Sequence, residues 1–218
     1  VGSRPGTITA GSDSFAIRVI GEGGHGARPH LAKNPLLGMS HLIEALSSMT
    51  APDRVVSPCM AHAGSKVNVI PELGEISGTV RTLNGEVRRA TLQEIEETVA
   101  RLCEDRGLEY EIDFDAGCPP VVVDAELYQL FSRVGRELLG DDRVERLEKS
   151  SMGSEDFGHY LTHVPGLLFR LGMGLDSPEL HNPRFDFNDE ALESGITMLV
   201  GLALGVTNGD DFLTGSTG

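Results

Sequence analysis

"SKVNVIPELGEISGTVRTL", residues 65–83, places two apolar alternations on either side of a short Pro/Gly stretch. In its second half Ile76, Gly78 and Val80 alternate with Ser77, Thr79 and Arg81, the period of a strand with one covered face. In its first half Val67 and Val69 point one way and Asn68 the other. The intervening "PELG" has turn composition, so the stretch predicts a β-hairpin. Asn68 and Arg81 then leave the covered face from adjacent strands. An arginine placed so can grip a carboxylate with a two-toothed fork, or it can be an ordinary exposed strand arginine.

Working outward, each flank supplies a helix and then a strand. Upstream, "SFAIRVIGE" alternates Phe15, Ile17 and Val19. "NPLLGMSHLIEALSSM" follows, with Asn34 as N-cap, Pro35 at the first helical position and an apolar stripe through Leu36, Met39, Leu42, Ile43 and Leu46. Downstream, residues 86–107 carry Val87, Thr91, Ile95, Val99 and Leu102 at helical spacing and stop at Gly107. "LEYEIDFD" then turns Leu108, Tyr110, Ile112 and Phe114 inward. Residues 13–116 therefore read strand, helix, strand, strand, helix, strand. That is the ferredoxin-like βαββαβ unit, one antiparallel sheet with both helices on one face.

"AGCPPVVVDAE" breaks the pattern and marks a boundary near residue 117. Beyond it, Asp124 caps a helix that turns Leu127, Leu130, Phe131, Val134 and Leu138 inward and ends at Gly140. "VERLEKSS" is a weak strand pattern and "GLLFRLGMG" a short apolar one. "NDEALESGITMLVGLALG" predicts an amphipathic helix with Leu192, Ile196, Leu199 and Ala203 inward. The segment 117–218 has few strands of its own and reads as part of an α/β layer, whereas 13–116 is α+β. The opening "VGSRPGTITAG" reads as the middle of something longer.

Composition narrows the classes. The 218 residues carry a formal charge of -15, which argues against a nucleic-acid surface. No run approaches the roughly 18 apolar residues of a membrane span. The three cysteines, Cys59, Cys103 and Cys118, form no close pair and fit reduced thiols of a cytoplasmic protein.

Seven histidines require a test for metal. No HExxH or CxxC motif occurs, and no local cluster supplies the three or four ligands of a zinc site. "GEGGHGARPH", residues 21–30, holds His25 and His30 among four glycines. Its residue types admit half a metal site, a phosphate cradle or a turn. A nucleotide reading is weak: there is no GxxxxGK[ST] pattern and no acidic residue at a second strand end. "MGSEDFG" sets Ser154, Glu155 and Asp156 in a row, either a helix N-cap or part of a site. "ELHNPRFDFND" places His181 in an irregular, acid-rich segment before a helix, the kind of loop where α/β proteins build sites.

In order, "GEGGHGARPHLAKNP", "KVNVIPE", "GTVRTL", "MGSEDF", "PGLLFRLG" and "LHNPRFDFNDEAL" resemble the successive signatures of the dinuclear-metal aminoacylase and carboxypeptidase-type peptidases. The flavour is that of the N-acyl-amino-acid amidohydrolase, hippurate hydrolase-like subgroup. The resemblance runs from about residue 7 to residue 206.

It implies a ferredoxin-like lid and dimerisation domain at 13–116. Residues 1–12 would be a remnant, and 117–218 the C-terminal part, of an α/β metallohydrolase catalytic domain. It implies metal-dependent hydrolysis of N-acyl-amino acids by a homodimer joined through the lid, with two divalent ions, zinc or manganese. A peptidase or desuccinylase branch, or a dimerisation or small-ligand module without chemistry, are the alternatives.

By the same resemblance, His181 matches the last metal ligand. His25 matches a lid histidine that stabilises the oxyanion in the partner subunit's site, with Gly23 and Gly24 giving it room. Asn68 and Arg81 match substrate-holding positions, and Ser154, Glu155 and Asp156 a segment that shapes the site. His30 matches a structural position. The family's other metal ligands and its general-base glutamate have no counterpart in the chain, so the expectation is an incomplete part that binds metal weakly.

Overall fold

The computed structural model describes residues 1–175, 177, 178 and 180–208. Its elements begin β1 (Gly2–Ser3), β2 (Gly6–Thr9), β3 (Gly11–Ile20), β4 (Gly24–His25), α1 (Pro35–Ser48), β5 (Arg54–Ala63), β6 (Val69–Ile70) and β7 (Leu73–Thr82). They continue α2 (Gly85–Glu104), β8 (Glu109–Ala116), β9 (Val121–Val123), α3 (Ala125–Leu139), β10 (Glu145–Arg146), α4 (Gly158–Leu161) and α5 (Ala191–Asn208). The fold is mixed α/β, in two compact units. One comprises residues 9–120 with 151–159, the other residues 1–8, 121–150 and the described residues from 160 on.

The first unit is built on a four-stranded antiparallel sheet in the order β5-β7-β3-β8. With α1 and α2 between strands, this is the ferredoxin-like order. The first helix begins at the expected cap, the Asn34 side chain accepting from the Leu36 N–H; the second begins at Asn84, whose side chain accepts from the Val87 N–H and which the periodicity did not mark. Gly107 ends the second helix with a φ of 60°, a region that glycine enters without steric cost. Phe15, Ile17, Val19, Ile76 and Val80 from the sheet meet Met39, Leu42 and Leu46 of α1 and Ile95, Val99 and Cys103 of α2. Each such buried chain contributes roughly 1.5–3 kcal/mol. Burial pushes the Cys103 thiol pKa up, so this cysteine packs as a small apolar residue.

The hairpin at 65–83 is only half as expected. Ile76, Gly78 and Val80 are buried in alternation, as their phase predicts. Their strand, however, pairs with β5 at 54–63 and not with residues 65–72. Val67 is fully exposed and, with Asn68, lies in a turn. Asn68 therefore does not share a hairpin face with Arg81, which stands opposite Val55 and Ser12. β5 escapes a reading by period because Val56 is its only buried residue and its register shifts between Pro58 and Met60. It is an edge strand with a bulge, where alternation carries little information. At the other edge, Tyr110 is exposed rather than inward.

In the second unit Asp124 caps α3 by accepting from the N–H groups of Glu126 and Leu127. Phe131 lies between Tyr128 and Phe169, with ring centroids at 6.1 and 5.7 Å. Two small two-stranded sheets, β1-β10 and β2-β9, are also present. "GLLFRLGMG" forms no strand, only one bridge from Arg170 to Gly2.

The terminal helix forms but turns the opposite way to the expectation. Ala191, Ser194, Met198, Gly201 and Gly205 are inward, whereas Leu192, Ile196, Leu199 and Val200 are 47–61% exposed. Gly201 and Gly205 let Leu138, Val134 and Leu130 of α3 approach closely. A close-packed helix pair outweighs the larger side chains on the far face, and that face needs a cover. We expect the chain at micromolar concentration to self-associate in light scattering, and I196K/L199K to reduce the association. A clean monomer before substitution would contradict this.

Candidate functional site

His25 sits on a two-stranded ribbon. β4 pairs antiparallel with β6, Gly24 opposite Ile70 and His25 opposite Val69. The Gly26 N–H donates to the Asn68 carbonyl at 2.9 Å, so the ribbon draws the His25 loop and the Asn68 turn together. The glycine this geometry most requires is Gly21: a Cβ there would lie 2.0 Å from the Lys33 carbonyl. Gly23 and Gly24 face 3.1 Å approaches, also tight for a Cβ but less severe than that at Gly21. Glycines 21, 23 and 26 fall at GxGxxG spacing, yet β3 is antiparallel to both neighbours and leads into a ribbon, not a helix. The dinucleotide context of parallel strand, turn and helix N-terminus is missing.

The His25 ring is exposed, and its Nδ1 accepts from the Ala27 N–H at 3.1 Å. An accepting Nδ1 carries no proton, which places the ring proton of neutral His25 on Nε2. The ring thus offers one N–H donor. His25 and Asn68 line an open groove of about 760 Å³ with Glu22 and Glu72. Neither acid was singled out in the sequence; both lie inside quoted motifs, but nothing in the alternation marks them. Glu22 is ion-paired to Lys33. His30 is exposed on a short 3-10 turn and no buried residue of that turn depends on it.

Arg81 and Ser154 come together: Arg81 Nη1 donates to Ser154 Oγ at 2.8 Å. The Glu155 side chain is turned to backbone instead, and Asp156 takes part through its own backbone. Glu155 Oε1 accepts from the Asp156 N–H at 3.0 Å, and the Asp156 carbonyl accepts from the His159 N–H at 2.9 Å.

His181 belongs to the other unit. It is exposed and has a φ of 69°, the one positive-φ non-glycine among the described residues. Left-handed backbone at a non-glycine is uncommon and costs of order 1 kcal/mol, so the surrounding turn must hold it. The next residue supplies that hold, because Asn182 accepts from the N–H groups of Arg184 and Phe185.

Residues 7–107 match the sequence profile of the peptidase dimerisation domain. The solved structure of the Bacillus subtilis YXEP protein, described as a dinuclear metal binding peptidase from the M20 family, is similar with a TM-score of 0.80 and 26% identity. That likeness covers 95% of this chain and 53% of that one. The chain belongs to the M20 peptidase family. Among its relatives is the Synechocystis protein named "Probable hydrolase sll0100", 37% identical over 91% of this chain and 53% of its own length. The hippurate hydrolase of Campylobacter jejuni is 31% identical over 92% of this chain and 54% of its own length. The chain spans about half the length of the curated relatives it matches.

A dinuclear M20 centre needs several convergent donors. Among the described residues, no three His, Cys, Asp or Glu side chains come together where an ion could sit. These residues by themselves do not fit such a centre. No described helix is long and apolar enough to cross a membrane.

Proposed function

We propose that this chain carries the lid, residues 13–116, and the C-terminal catalytic segment, residues 117–218, of a metal-dependent amidohydrolase acting on N-acyl-amino acids. The observation that carries the reading is the hydrogen bond from the Ala27 N–H to His25 Nδ1, which leaves an exposed Nε2–H donor on a fixed ribbon. Such a donor, placed at the carbonyl oxygen of an amide under attack, stabilises the negative charge that develops there. It reaches that oxygen in the partner subunit of a homodimer. β5 is an edge strand and Leu36 and Leu37 of α1 are exposed, which suits pairing through the lid.

Asn68, across the ribbon, and Arg81 hold the substrate, Arg81 by its carboxylate. His181 is one ligand of a divalent metal pair, zinc or manganese, completed by residues outside this chain. N-acyl-amino acids are favoured because relatives 30–31% identical are named hippurate hydrolase, N-acetyldiaminopimelate deacetylase and N-acetyl-L-cysteine deacetylase.

The 218-residue chain itself is expected to bind zinc or manganese weakly and to leave N-benzoylglycine intact. Calorimetric titration with each metal and an amine-release assay check this. Tight stoichiometric metal binding with turnover would sink the two-part reading. Polypeptides of the relatives' length carrying this sequence that load metal yet hydrolyse no N-acyl-amino acid would favour a dimerisation module.

A further inference from the structure

The partner of Arg81 is a hydroxyl, although the two residues after Ser154 are acids. Arg81 carries five N–H donors, and one of its Nη1 hydrogens goes to Ser154 Oγ at 2.8 Å. Among the described residues no carboxylate forms an ion pair with it, in a chain of net charge -15. A neutral acceptor and an acid differ here in chemistry. A carboxylate would orient the guanidinium but neutralise it and occupy the fork; a serine orients it and leaves the charge whole.

Ser154 is itself held. The Ser151 carbonyl accepts from the Ala10 N–H at 2.9 Å, and Ser151 Oγ accepts from the Gly153 N–H at 3.0 Å. Beyond the acids, Gly158 lies so close to Pro119 that a Cβ would come within 2.3 Å of its carbonyl. The segment is thus pinned on both sides to residues of the unit that carries β7. Arginine loses side-chain entropy when fixed, and a group that fixes it beforehand removes that cost from ligand binding.

We propose that Ser154 is a positioning residue. Its hydroxyl holds Arg81 by Nη1 so that the remaining donors present an open fork to the carboxylate of an acyl amino acid. This rests on the reading of Arg81 as a carboxylate grip.

Two measurements on the 218-residue chain separate the claims. Nitrogen-15 NMR of the Arg81 guanidinium reports its rotation about Nε–Cζ, and titration with N-benzoylglycine reports carboxylate binding. In the wild type slow rotation is expected, and the ligand shifts the Arg81 signals. S154A should speed the rotation and weaken binding about five- to tenfold, the size of one ordinary net hydrogen bond. S154T should restore both. R81K should lose binding while the amide signals of 151–158 stay in place.

S154A with wild-type rotation and affinity, beside an R81K that does not bind, overturns the role of Ser154 alone. An R81K that binds as the wild type does, or N-benzoylglycine that leaves Arg81 unmoved, overturns the reading of Arg81 and the positioning role with it.

Discussion

Replacing His25 by alanine, in a metal-loaded polypeptide of the relatives' length that carries this sequence, is expected to lower kcat for an N-acyl-amino acid by about a hundred- to a thousandfold. KM should change little, because the Nε2–H donor meets full negative charge only as the carbonyl oxygen becomes an oxyanion. Glutamine is the informative second variant, since it keeps a donor but not the ring geometry that the Ala27 N–H fixes. The action across subunits has its own test. H25A and H181A subunits, each inactive alone, should regain turnover when mixed and refolded together. The mixed dimer would hold one site with intact His181 facing an intact His25. Wild-type kcat in H25A would remove His25 from the chemistry; an inactive mixture would confine it to its own subunit.

Arg88→Ala is expected to cost about 3 kcal/mol of folding stability in the unit that carries the lid sheet. Arg88 Nε and Nη2 each reach one oxygen of Asp13 at 2.8 Å, a two-toothed pair joining α2 to the start of β3. The Asp13 side chain is 4% exposed, so removing Arg88 strands a carboxylate where water cannot reach it. The pair is mutual: hydrogen bonding to Asp13 holds the Arg88 guanidinium above its usual pKa. Urea unfolding with an unchanged slope and a lowered midpoint is the expected readout. D13N/R88M should recover most of the loss, because neither side chain is then charged. A loss below about 0.5 kcal/mol in R88A would place the pair among surface bridges of no consequence.

Much of the lid sheet was legible because its signals are local. Asn34, and Asp124 in the other unit, are caps whose side chains bond within the next few residues, so neighbours in sequence decide them. The phase of Ile76, Gly78 and Val80 was legible because their strand is central and its covered face excludes water from every second residue. β5 was not legible, since one buried residue in ten leaves no period to read. The Val67/Val69 alternation misled for the converse reason: apolar residues alternate there in a turn and a two-residue ribbon with no core behind them. The candidate site divides similarly. Its residue types stood out as motifs, but which of them meet did not follow from spacing. Asn68 joins His25 across the ribbon, and Arg81 meets Ser154 from 73 positions away.

The sequence by itself determined the order of helices and strands in the lid unit, the ends of its helices, and the M20 character of the chain. These rest on periodicity, caps and ordered motifs, all carried by residues near one another in the chain. Only the tertiary structure decided which strand lies beside β7, which way α5 turns, and that a serine holds Arg81. Each is a competition between distant partners. An edge strand earns its place through backbone hydrogen bonds that any sequence can make, and α5 turns its glycines inward because only they allow α3 so close. A donor finds its acceptor only once both backbones are fixed.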